Sequence, residues 1–184
     1  MFEYLIGGLI IMAIIILAKP GYYYLKNYVS KQLIESAWIE SKSKKEVISP
    51  WLRSKSCPIG KISIGNVNLS YFILGGTINH SSTFGVSHIP NTSKPGEYGN
   101  IGLTGSLDSF LKKLEKIHLG DIVKIEHLKG ISRYKVSDIQ IVSPQEISWL
   151  GQTEQNLLTL ITYYPFDYIE DAPMRYVIRA HQRT

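Results

Sequence analysis

The stretch Leu158-Thr-Leu-Ile-Thr-Tyr163-Tyr-Pro-Phe166 decides how this chain is read. From Leu157 to Thr162 it is a short apolar run carrying two threonines. A run of this length and composition reads as a β-strand. Working outward, Arg175 to Ala180 is a second one. Upstream, Lys61-Ile-Ser-Ile64 alternates at period two, and Leu69-Ser-Tyr-Phe-Ile-Leu74 is a longer apolar strand ending at Gly75-Gly76. Gly120-Asp121 opens Ile122 to Glu126, and Lys129-Gly130 is a turn before Ser132 to Val136. Helix is scarce in this region. Phe110, Leu111, Leu114 and Ile117 form one apolar stripe behind a cap at Asp108. The expectation is a mainly β domain with one or two short helices, closed into a barrel by strand count and spacing.

The N-terminus differs in character. Tyr4 to Ala18 carries no charge and is almost wholly aliphatic, and Lys19-Pro20 and Tyr22, Tyr23 and Tyr24 follow it. A bilayer core takes roughly 17–25 apolar residues, often closed by aromatic and lysine side chains at the interface. The stretch reaches that lower limit when Phe2 and the tyrosines are counted, so residues 1–25 are expected to form an uncleaved transmembrane helix. A cleavable signal peptide fits less well. Glu3 precedes the apolar run with no Lys or Arg beside it, and Leu17-Ala18-Lys19-Pro20 is a poor cleavage site. Beyond it, Val29, Leu33, Ala37 and Trp38 repeat at helical spacing with Lys31, Glu35 and Glu40 on other faces. Residues 26–49 are thus expected to be an amphipathic stalk helix, broken by the basic run Ser41-Lys-Ser-Lys-Lys45 as a linker. Pro50-Trp51 then begins the barrel domain, 50–184.

Composition is that of an ordinary globular protein, 44% hydrophobic and 19% charged, with mean hydropathy near zero. Part of the formal charge of +5 comes from the basic run. Its lysines alternate with serines and lack interleaved aromatics, which suits a solvated linker or contact with anionic lipid and argues against nucleic acid. The single cysteine, Cys57, excludes an intramolecular disulfide and a multi-cysteine zinc site. Neither a cofactor nor a metal is expected.

Several segments, in order, resemble one known family. Leu158 to Phe166 resembles the nucleophile strand of sortases, which ends in Thr-Cys-Tyr-Pro-Phe; here the cysteine position is Tyr163. Gly99-Asn-Ile-Gly-Leu-Thr-Gly105-Ser106 resembles the sortase strand that ends in Gly-His, with Ser106 at the histidine position. Phe84-Gly-Val-Ser-His88 is similar to the family's Phe-Gly-Pro-Gly-His, departing at Val86 and Ser87, and Pro95-Gly-Glu-Tyr-Gly99-Asn100 matches its Pro-Gly-Glu-x-Gly-Asn. Phe110 to Asp121, Tyr134-x-Val136 and Val142-x-Pro144 fall where the family has their counterparts. Ala172-Pro-Met-Arg175-Tyr-Val-Ile-Arg-Ala180 resembles the strand bearing the catalytic arginine. Pro50-Trp51 with Pro58-Ile-Gly-Lys-Ile62 is similar to the start of the single-domain sortases of Gram-negative, class D/E type. The resemblance covers roughly residues 50 to 181 and implies a sortase-like closed β-barrel.

It also implies a function with its chemistry removed. In a sortase the cysteine thiolate attacks the threonyl carbonyl of an LPxTG-like signal, the histidine protonates the leaving amine, and the arginine steadies the oxyanion or the substrate. Of these three only Arg175 remains. A phenol ordinarily titrates at about 10 and needs a base beside it, which a serine hydroxyl does not provide. The expectation is a binding or regulatory pseudosortase, with Arg175, Tyr163, Thr162 and His88 lining the substrate cleft and a sorting-signal peptide or an active sortase as partner. Two alternatives stand beside it. One is an active transpeptidase or hydrolase using a relocated nucleophile (Cys57, Tyr163 or Ser106, with His88 as base). The other is a structural envelope protein whose cleft Tyr163 fills. Arg175 has a structural reading too, paired with Glu170 or Asp171. The lysines after the apolar run, Lys19, Lys26 and Lys31, argue for a cytoplasmic domain by charge. The resemblance implies the reverse: a single-pass protein of the cytoplasmic membrane with its domain outside.

Overall fold

The computed structural model describes residues 2–52, 54–76, 85–105, 110, 113–166 and 172–183; in the N-terminal helix, the side chains of 2–5, 7–20, 23 and 24 are outside the description. Eight strands form a closed barrel: β1 (Ser56–Ile64), β2 (Leu69–Gly76), β3 (Val86–His88), β4 (Asn100–Thr104), β5 (Ile122–His127), β6 (Gly130–Val142), β7 (Leu157–Tyr164) and β8 (Met174–Arg183). Around the barrel the order is β1-β2-β3-β4-β7-β8-β6-β5, with β5 returning to β1. β2–β3 and β4–β7 are parallel and the remaining pairs antiparallel. Closure gives each of these strands a neighbour on both sides.

The interior follows from alternation. Ile62 and Ile64 of β1, Val123 and Ile125 of β5, Leu158 and Leu160 of β7, and Ile178 and Ala180 of β8 all point into one core. Phe110, Leu114 and Ile117 join it from the segment between β4 and β5, fully buried as their stripe predicts. Residues 110, 113 and 114 are helical, whereas Leu111 and the expected cap at Asp108 lie outside the described residues. Phe110 meets Tyr71 edge-on, ring centroids 5.7 Å apart.

The strands extend further than the sequence pattern alone marks. β1 starts at Ser56, so Cys57 lies within the strand rather than before it. β6 continues six residues past Val136, because a bulge between Val136 and Asp138 resets which residues face inward.

The stalk expectation is corrected in two respects. One helix, α1, runs from Phe2 to Lys44, so it takes in all but the last residue of the basic run and the break falls at Lys45. The docked face is Ile34, Ala37, Trp38 and Ser41, while Val29 and Leu33 are exposed. Ser41 is fully buried. Its hydroxyl donates to the Ala37 carbonyl at 2.6 Å and accepts the Ile48 amide at 2.9 Å, so the serine satisfies itself inside the helix. Lys45, at φ 58°, then ends it. Lys42 reaches Glu126 of β5 at 3.7 Å, and Glu126 also accepts from Lys124 at 2.9 Å. Among the described residues no helix is long and apolar enough to cross a membrane. Most side chains of the expected anchor, residues 1–25, lie outside them.

Candidate functional site on the outer face of β7 and β8

β7 and β8 are antiparallel neighbours, and their register sets Tyr163 directly opposite Arg175. Since Leu158, Leu160, Ile178 and Ala180 fill the core, parity turns Tyr163 and Arg175 to the outer face. The Arg175 guanidinium carbon lies 4.8 Å from the Tyr163 ring centroid, a cation–π contact. Nη1 of Arg175 donates to the carbonyls of Ala172 (2.8 Å) and Met174 (3.0 Å), which fixes the plane of the fork. Tyr163 and Arg175 are each half-buried. Glu170 and Asp171, the acids the sequence offers Arg175, lie outside the described residues, as does Asp167.

One residue earlier, Thr162 is buried and its hydroxyl donates to the carbonyl of Gly105 at 3.2 Å. This bond ties the end of β7 to the end of β4. Thr162 therefore serves the frame and does not line the outer face. A Cβ at Gly105 would come within 2.8 Å of the Phe110 ring, so glycine is required by close approach. Ser106, the next residue, is outside the described ones. On the inner side Tyr164, Phe166 and Tyr176 form an aromatic cluster, with Phe166 and Tyr176 at 5.0 Å. Burial, reinforced by Glu115 and Tyr164, pushes the Tyr176 phenol up, so it stays protonated.

His88 and Cys57 sit elsewhere. His88, expected in the cleft, is buried on β3, with its Nε2 at 3.0 Å from the Ser93 carbonyl and 3.2 Å from the Thr92 hydroxyl. It pairs with Leu103, which pairs with Leu160, so it is two strands and three residues from Tyr163. With strands about 4.8 Å apart and a rise of about 3.3 Å per residue, the two Cα atoms are about 14 Å apart. The histidine organises its own loop. Cys57 on β1 is four strands from β7 in either direction around the barrel, on the opposite wall.

The same outer face carries a second cluster that sequence reasoning did not single out. Thr159 is opposite Arg179 in the β7–β8 register. The Thr159 hydroxyl donates to Asn100 Oδ1 at 2.8 Å, and Asn100 Nδ2 donates to the carbonyls of Trp149 (2.8 Å) and Gly151 (3.3 Å). Arg179 covers the Trp149 ring at 4.5 Å. These contacts fasten a 3₁₀ turn, Ser148–Leu150, against β4, β7 and β8. Arg179 and Arg175 are four residues apart on β8, about 13 Å along the strand. The outer wall thus runs from Trp149–Arg179 at one end to Tyr163–Arg175 at the other. Trp149 lies in a short loop segment, Ile147-Ser-Trp-Leu150, with no periodicity to mark it, and Asn100 was legible only as part of a motif. Among the described residues no cluster of three or more His, Cys, Asp or Glu could hold a metal.

The barrel is thus closed, eight-stranded and mixed, with an arginine on β8 across from the end of β7. The chain belongs to the sortase family: the family's Sortase domain model matches residues 62–183. A sortase D of Bacillus subtilis (strain 168) is 31% identical over 126 residues, 68% of this chain and 64% of that protein. The chain therefore spans less than two thirds of the length of this relative. A Clostridium perfringens sortase D5 transpeptidase superposes with a TM-score of 0.69 over 85% of this chain and 99% of that one; at 23% identity the likeness is one of fold. Sortase C1 of Streptococcus agalactiae, solved as a complex with MTSET, gives 0.62 at 27% identity, covering 69% and 68% of the two chains. Sortase C-1 of Actinomyces oris gives 0.61 at 27% identity, covering 69% and 75%.

Proposed function

We propose that this chain is a membrane-anchored sortase-family protein that lacks cysteine transpeptidase activity and holds a sorting-signal-type peptide on its outer β7–β8 wall without cutting it. One observation carries the reading. Tyr163, at the family's cysteine position, is the cross-strand partner of Arg175 and lays its ring against the guanidinium. A phenol in that place brings no thiolate to a carbonyl. The proposal includes the apolar N-terminus as the anchor and a domain outside the cytoplasmic membrane. A relocated nucleophile is the weaker reading, because Cys57 lies on the opposite wall and His88 is spent on its own loop.

The test uses the full chain in a mild detergent, a quenched LPxTG-type peptide and an amine acceptor, followed by mass spectrometry. An active sortase is the positive control and a Cys57→Ser/Tyr163→Phe variant the negative one. The expected result is no acyl-enzyme and no transpeptidation product. Turnover that disappears in the double variant would overturn the proposal.

A further inference from the structure

We propose that the Tyr163–Arg175 pair is a receptor for a carboxylate on a peptide, rather than for an internal amide carbonyl. This rests on the reading above, that the β7–β8 wall binds a peptide without cutting it.

The argument begins with the donors of Arg175. A guanidinium has five N–H groups and no acceptor. Both hydrogens of Nη1 are spent on the carbonyls of Ala172 and Met174. Among the described residues nothing accepts from Nε or Nη2, and none of the ion pairs involves Arg175. Nε–H and one Nη2–H run parallel along one edge of the plane, with the spacing of the two oxygens of a carboxylate. The guanidinium carbon sits over the Tyr163 ring, 4.8 Å from its centroid, so the ring shields the guanidinium on that side. The Tyr163 hydroxyl likewise has no hydrogen-bond partner among the described residues and keeps its donor free.

Charge decides between the two ligands. An amide carbonyl is a single neutral oxygen and leaves half of the fork unfilled. A carboxylate fills it with two charge-assisted bonds and neutralises a half-buried cation that is without a counter-ion among the described residues. The site is therefore matched to a peptide after a peptide bond has been hydrolysed, or to one with an acidic side chain at the same place. Hydrolysis of a sorting-signal-like peptide is the class of reaction that would supply the first.

Binding to the full chain would be followed by fluorescence anisotropy with three labelled peptides. One ends in Leu-Pro-Ala-Thr with a free carboxylate, one has the same sequence amidated, and one is amidated with glutamate replacing the threonine. The free acid is expected to bind about tenfold more tightly than its amide. Arg175→Lys, which keeps the charge and loses the fork, should remove most of that difference, and Tyr163→Phe should reduce it a few-fold. If the glutamate peptide matches the free acid, the receptor stands with side-chain carboxylates as ligands. If it matches the amide, the receptor is for the chain terminus. Equal affinity for acid and amide overturns the carboxylate receptor while leaving peptide binding intact. Absence of binding by all three, in protein with an unchanged thermal melt, overturns the receptor together with the reading on which it rests.

Discussion

Asn100 is the joint between the 3₁₀ turn and the barrel wall, and replacing it with alanine tests whether that wall is built as described. The side chain is 3% exposed, donates to two carbonyls and accepts from Thr159. A net contribution of about 0.5–1.5 kcal/mol per hydrogen bond gives about 2 kcal/mol for the two 2.8 Å bonds. Leaving acceptors unpaired adds little. The Trp149 carbonyl keeps Arg179 Nη2 and the Thr159 hydroxyl, both at 3.3 Å, and the exposed Gly151 is open to water. With lost packing of the amide, the expected cost of Asn100→Ala is about 2–3 kcal/mol. Thr159→Val alone should cost about 1–2 kcal/mol, since it strands the buried Asn100 oxygen. The double variant should fall short of the sum by about 1 kcal/mol, because both singles break the same bond. Urea unfolding of the full chain, followed by tryptophan emission, supplies all four corners of the cycle. Trp149 emission in the folded baseline should shift as the turn detaches from Arg179. A loss below about 0.5 kcal/mol for Asn100→Ala, or strict additivity in the cycle, would refute the joint.

Three further outcomes are expected. Phe110→Ala, which empties a fully buried site against Tyr71, should cost about 3–5 kcal/mol in urea unfolding. The hydrogen bond from Lys124, with Lys42 and Lys61 nearby, holds the Glu126 carboxyl below its ordinary value of 4.5. Its stabilisation is therefore present above that pH and lost as pH falls through the folded value; thermal melts of Glu126→Gln should show this acid-side loss reduced, with a cost at neutral pH of about 0.5 kcal/mol for so solvent-facing a pair. Burial, and then Lys129, depress the His127 imidazole below 6.5, so the unfolded chain binds the more protons. Stability should fall as pH drops below about 6.5, and His127→Gln should flatten melting temperature against pH in that window.

The parts legible in the sequence were those governed by local periodicity. Alternation marked the second half of β1, apolar runs and glycine turns marked β2, β5 and the first half of β6, and the stripe Phe110, Leu114, Ile117 marked a piece of the core. β3 has only three residues, all buried, so alternation had no polar face to mark it. The second half of β6 was missed because a bulge moves the inward position from Val136 to Ile139, and a period-two reading ends at such a shift. On α1 the apolar positions suggested a stripe through Val29, Leu33, Ala37 and Trp38, of which only Ala37 and Trp38 are buried. Contact with β1 buried Ile34 and Ser41 beside them in place of Val29 and Leu33, a choice made by the partner surface and not by the helix.

The sequence by itself determined the family, the strand composition and the identities of Tyr163, Ser106 and Arg175, since each is written in adjacent residues. Tertiary structure alone decided which of the candidates meet. The β7–β8 register faces Tyr163 with Arg175, while closure of the barrel sets Cys57 on the opposite wall and keeps His88 with its own loop. It also joined Asn100, Trp149, Thr159 and Arg179, residues spread over eighty positions of chain, into one wall. Register and closure are long-range hydrogen-bonding facts, and a side chain's neighbours across a sheet depend on the partner strand as much as on its own.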